Sequence, residues 1–108
     1  MAMEAFSLQG DTGWQTLSSL LDADVTFSGR YLWGWLTIIN QDGSNTMIVK
    51  SLPGTTAPSA DSGINLGPGD AFTWSPGNQG IIDGRAIWVK CSANPTDLDV
   101  TFVHKSGI

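Results

Sequence analysis

The chain is poor in the residues that carry chemistry. Its 108 positions hold one cysteine, one histidine, one glutamate and five basic residues. The lone Cys91 excludes an intrachain disulfide, and zinc-ligand spacings fail for want of partners. It falls in the strand-like run WVKC, where a small apolar residue is expected to be buried and inert. The basic residues Arg30, Lys50, Arg85, Lys90 and Lys105 are scattered, and the net charge is −5. Binding to a phosphate backbone needs clustered cations, so the pattern argues against nucleic acid as a partner and, for the same reason, against an anionic membrane surface. No apolar run approaches the roughly 20 residues of a membrane helix. The first ten residues, MAMEAFSLQG, lack the basic start and compact apolar centre of a secretory signal. The expectation is synthesis in a cytoplasm.

Glycine, serine, threonine and tryptophan are plentiful, with 13 Gly and 5 Trp. That mix predicts an all-β chain with many turns. In TDLDVTFVHK, Leu98, Val100 and Phe102 alternate with Asp99, Thr101 and Val103, which puts the first set on a core face. AIWVKC sets Ile87, Val89 and Cys91 against Ala86, Trp88 and Lys90, the lysine marking the wet side. RYLWGWLTIIN is apolar on both faces: Leu32, Leu36 and Ile38 lie opposite Tyr31, Trp33, Trp35 and Ile39. Such a strand is covered twice, by the N-terminal segment or by a neighbouring subunit. Asp42 and Gly43 mark a turn that would join this strand to TMIVKSL as an antiparallel hairpin. The Pro- and Gly-rich PGTTAPSADSG is a surface loop.

The glycine-rich stretch SGINLGPGDAFTW reads as two short strands around a type II turn. Pro68 presets φ at the first central position and Gly69 takes positive φ at the second. A phosphate-binding loop would need a Lys, a Ser or Thr and a following helix, all missing here. IIDGR carries a further short strand and turn, and ANPTD is the last loop. TLSSLLDAD fits either one or two helical turns or a strand, and DVTFSG reads as a strand with Val25 and Phe27 on one face. The expected organisation is an N-terminal arm with a first strand or short helix over residues 1–29, then a domain over 30–108. Its fold class is a small antiparallel β-sandwich or jelly-roll-like barrel.

Catalytic constellations are missing from the pattern. His104 stands alone near the end of the last strand, and no G-x-S-x-G occurs, so it reads as a surface or interface histidine. Asp42, Asp61, Asp70 and Asp83 occupy turns, where carboxylates accept backbone hydrogen bonds. QDGSN offers oxygens to a cation, but the calcium-loop pattern and its closing Glu are missing. Glu4 sits in the arm. The reading is a protein without enzymatic activity, metal or cofactor. Trp33 and Trp35 on one strand, with Trp74 and Trp88 from others, are core, subunit-interface anchors or a sugar-stacking platform.

The succession LTIINQDGSNTMIVKSL, SGINLGPGDAFTW, RAIWVKCSA and DLDVTFV resembles the small β-sandwich structural proteins in virions of tailed bacteriophages. The likeness spans residues 32–103. It implies a capsid decoration (cement) protein of the phage head, or a neck, tail or fibre module. It also implies a homo-oligomer such as a trimer, with the major capsid protein or another virion protein as partner and the virion as location. In that role Phe6, Leu8 and Trp14 of the arm, with Trp33, Trp35 and Trp88, are the interface candidates. The alternative is a carbohydrate-binding adsorption domain with a glycan ligand.

Overall fold

The computed structural model describes residues 3–77 and 80–105. Two antiparallel sheets pack face to face. The front sheet has the order β1 (Met3–Gly10), β9 (Thr96–His104), β3 (Leu32–Asn40) and β6 (Ala71–Trp74), with β7 (Ile82–Asp83) beside the start of β3. The back sheet runs β2 (Gln15–Thr16), β8 (Ile87–Cys91), β4 (Met47–Ser51) and β5 (Ile64–Leu66). With β7 set aside, the strand order is that of an eight-stranded double Greek key, the jelly roll. The all-β sandwich expected from the alternation is thus the fold.

Alternation fills the space between the sheets. Leu98, Val100 and Phe102 of β9 and Leu36 and Ile38 of β3 are fully buried. Val49 and Met47 of β4 and Ile87, Val89 and Cys91 of β8 meet them from the back sheet. Burial pushes the Cys91 thiol up, as an inert core cysteine requires. One flank is closed by α1 (Leu17–Asp22), whose Leu17 and Leu21 are fully buried. The helix starts where it does because the Thr16 hydroxyl accepts the Ser19 N–H at 3.1 Å, which satisfies one of the unpaired amides of the first turn.

Four expectations need correction. Residues 3–10 are no separate arm: all eight pair in register with β9, from Met3↔Val103 to Gly10↔Thr96. Phe6 and Leu8 follow the parity of the β9 core residues, so the sheet gains more by taking the segment in than by leaving it loose. Trp33 and Trp35 do not share a face. The register against β9 shifts by one residue between them, and Trp33 thereby joins Leu36 and Ile38 in the core. Residues 24–27 form no strand. The Asp24 carboxylate accepts from Thr26 N at 2.9 Å and Thr26 Oγ1 at 2.6 Å, and Phe27 N donates to Asp24 O. This local turn satisfies groups a ladder would have used, and Val25 is left 99% exposed.

The fourth correction concerns the hairpin. β3 and β4 lie in different sheets, so the turn at Asp42 and Gly43 is an arch across the core. Asp42 folds it by accepting from Ser44 N and Asn45 N, while its other oxygen takes Asp97 N. Those amides, Asn45 first, hold the Asp42 carboxyl below its ordinary value. Asn40, fully buried, donates to the carbonyls of Asn45 and Leu66 and so fastens both sheets together at the arch. The residues 67–70 turn has its expected geometry: Gly69 has φ +83° and Asp70 N bonds Gly67 O at 3.0 Å. It too crosses between the sheets, from β5 to β6.

Candidate functional site

The outer faces of the two sheets differ in what covers them. On the back sheet the long β4–β5 connection, residues 52–63, folds over the outward residues. Trp88 Nε1 donates to Leu52 O at 3.0 Å, Lys90 Nζ meets Asp61 Oδ1 at 2.8 Å and Lys50 Nζ reaches Ser62 Oγ at 3.2 Å. Trp88, assigned by parity to the wet side, is therefore buried, with only 6% of it exposed.

Among the described residues only side chains at its two ends, Gln41 on Asp99 and Lys105 beside Gly34, lie against the outer face of the front sheet, whose outward residues are exposed or half-buried. The N-terminal segment, one expected cover for β3, stands beyond β9 in the same sheet instead. Register sorts the bare face into rows. Met3, Val103 and Trp35 make an apolar row at one end, with Met3 65% exposed. Ala5, Thr101, Thr37 and Thr73 follow, the last two joined through their hydroxyls at 2.7 Å. Next come Ser7, Asp99, Ile39 and Ala71, and the far end is Gln9 and Asp97. No Lys, Arg or Glu stands on this face within the strands; Lys105 follows the end of β9 beside Gly34.

The structure spreads the six interface candidates widely. Trp33 is core: its ring stacks on Phe102 with centroids 4.1 Å apart, and its Nε1 donates to Arg30 O at 2.8 Å. The ring fits because residue 84 is glycine, where a Cβ would come within 2.4 Å of it. Leu8 and Trp88 are buried as well. Phe6 is half-buried between Phe27 and Phe102. Trp14 and Trp35 are half-buried as well, Trp35 on the outer face of the front sheet and Trp14 beside β2 of the back sheet. Trp14 lies on a groove of about 480 Å³ with Thr16, Ser19, Thr55, Arg85 and the rim of Trp88. Trp74 packs edge-on against Phe72 at the β6 margin.

His104 and Glu4 are not surface residues of a strand end and an arm. His104 is buried on the inner face of β9, and its Nε2 lies 2.5 Å from Oε2 of Glu4. Ser28 from loop 23–31 donates to the same carboxylate through its hydroxyl at 2.6 Å and its N–H at 3.2 Å. Burial acts to raise the Glu4 carboxyl, but the Ser28 and His104 hydrogen bonds outweigh it and hold the group below its ordinary value. Nδ1 of His104 is buried without a partner. The chain pattern held a signal for this pair: Glu4 shares the parity of Phe6 and Leu8, and His104 that of Phe102. The arrangement ties the front of β1 to β9 and to loop 23–31. Ser28 and His104 both bond the carboxylate rather than each other, so it is not a nucleophile–base relay.

Among the described residues no group of three or more His, Cys, Asp and Glu is placed to hold a metal ion. The oxygens of Asp42 are committed to the arch. No described helix is long and apolar enough to cross a membrane. Compared with protein-family models, curated proteins and solved structures, the chain finds no match.

Proposed function

We propose that this protein is a non-enzymatic virion structural protein of a tailed phage, acting as a capsid decoration protein through the outer face of its front sheet. The observation that carries the reading is the bare face itself, beside a back sheet covered by the chain's own loop. An apolar row with Met3, Val103 and Trp35, followed by small threonine and alanine side chains, suits close contact with another protein. Four strands about 4.8 Å apart and eight residues at about 3.3 Å per residue give a patch of about 500 Å². A stable pair of proteins needs about 800 Å² from each partner. One such contact is weak alone, which fits a protein displayed in many copies on one shell, where avidity multiplies it. A component that binds the assembled shell and not its free subunits shifts the equilibrium toward the shell. A tail, neck or fibre position would use the same face.

The test is co-sedimentation with empty phage heads, together with light scattering of the free protein. The expected result is saturable binding that Trp35→Glu abolishes while the circular dichroism spectrum stays unchanged. A strict monomer that binds neither heads nor tails overturns the reading. A second reading, glycan binding for adsorption, draws on the Trp14 groove, whose aromatic face and flanking hydroxyls are the groups that pack and bond sugar rings. Binding on a glycan array that Trp14→Ala removes would favour it. Trp33→Ala cannot serve there, because that residue is core.

A further inference from the structure

We propose that the lateral edge of β1 accepts an extended, basic segment of another protein as an added strand. The inference goes beyond the decoration reading, because it stands on this edge alone and holds for any host of the protein. Five strands stand at the edges of the two sheets. β2, β7, β5 and β6 have two, two, three and four residues, too short to template a partner. β1 has eight, pairs with β9 on one side only, and runs without a register shift. Edge strands of that length are usually guarded by lysine, proline or a bulge. MEAFSLQG has no lysine, proline or bulge, and its one charge, Glu4, turns inward at the Met3 end, where Ser28 and His104 hold it. Alternate residues of an edge strand turn N–H and C=O groups outward, ready for a further ladder.

The neighbourhood defines the occupant. A concavity of about 1020 Å³ opens beside residues 7–9, walled on its far side by Leu20 and residues 23–25. Val25 there is 99% exposed, an apolar side chain with nothing upon it. Asp24, Asp97 and Asp99 line the same space, with no Lys or Arg. The Asp97 and Asp99 carboxylates are steered by Gln9, Ser7 and Gln41, which donate to them at 2.7–3.2 Å and leave their charge in place. An extended segment with alternating basic and small apolar residues satisfies both backbone and carboxylates. A second copy of this chain supplies no cations there: pairing β1 with β1 about a two-fold axis brings together two edges whose neighbouring charges, Asp24, Asp97 and Asp99, are all acidic, in a chain of net charge −5.

The experiment uses the full ¹⁵N-labelled chain and the capped peptide acetyl-Lys-Val-Lys-Thr-Lys-Val-Lys-amide, read by amide shifts and hydrogen exchange. Shifts should concentrate in residues 4–9 and 23–26, with exchange at alternate β1 amides slowed about tenfold. Methylating alternate peptide nitrogens removes the ladder and should weaken binding about tenfold. The D97K/D99K variant should weaken it by a similar factor, about tenfold. Undiminished binding of the methylated peptide would show attraction by charge alone and overturn the proposal; so would shifts centred elsewhere. The methylated-peptide comparison needs no variant, so it decides the matter even if D97K/D99K fails to fold. Concentration-dependent protection of β1 without peptide, with a dimer in light scattering, overturns it in favour of a second copy.

Discussion

The front and back sheets are built from strands of similar pattern, yet one is dressed by its own chain and the other is not. Both turn an apolar face inward. Outward, the back sheet carries Trp88, Lys90 and Lys50, and loop 52–63 supplies a carbonyl, a carboxylate and a hydroxyl to each in turn. The front sheet carries threonine, alanine, a few larger apolar side chains and the Asp97 and Asp99 carboxylates, and among the described residues no loop comes over it. The difference is one of connection length. β4 and β5 are neighbours in one sheet joined by a long segment, which has chain to spare for a cover. The links from β3 to β4 and from β5 to β6 are short arches, used up in crossing the sandwich. Surface left uncovered by such a plan is available for a partner, whereas surface covered by the chain's own loop contributes to the stability of the fold.

The sharpest way to break this comparison is on β3 itself, which has one residue on each side of the register shift. Trp33→Ala removes a fully buried ring stacked on Phe102 and should cost about 3–5 kcal/mol in urea unfolding. Trp35→Ala, on the bare face, should stay within about 0.5 kcal/mol. Equal losses would mean that the outer face is part of the core. Next in size is Glu4→Ala, which leaves a buried histidine without its one partner and should cost about 1–3 kcal/mol.

The same carboxyl sets an acid limit. Its folded value lies below the ordinary 4.5, so its contribution is complete above that pH and disappears as pH falls through the lower folded value. Wild-type melting temperature should therefore drop more steeply below pH 4.5 than that of Glu4→Gln, which has no charge to lose there. Parallel melting curves would remove Glu4 from the account. The smallest effects belong to the loop cover. Trp88→Phe keeps most of the ring but loses the bond to Leu52 O, for about 0.5–1.5 kcal/mol. Lys90→Ala breaks a largely solvated ion pair, Asp61 being 62% exposed, for about 0.2–1 kcal/mol. If neither variant changes hydrogen exchange in β8, the loop does not cover the back sheet in solution.

The candidate surfaces were only partly readable beforehand. Parity placed Leu98, Val100 and Phe102, and it also aligned Glu4 with Phe6 and His104 with Phe102. What hid the Glu4–His104 pair was their separation of 100 residues in sequence. The same distance hid the edge character of β1, because nothing in MEAFSLQG announces that its partner is the last strand. Trp33 and Trp35 were misassigned because a strand's two-residue period holds only while the ladder is unbroken, and the shift at Gly34 is a property of pairing with β9.

By itself the order of residues determined the alternation of the core strands and the Gly67 to Asp70 turn with its positive-φ glycine. These depend on steric and hydrogen-bonding preferences among residues within a few positions of one another. Which strands pair, which turns arch across the core and which outer face stays bare were decided only in three dimensions. A turn signal reports that the chain reverses, but the choice of sheet on the far side depends on burial shared by residues far apart in sequence, such as Asn40 with Leu66 and Trp33 with Phe102.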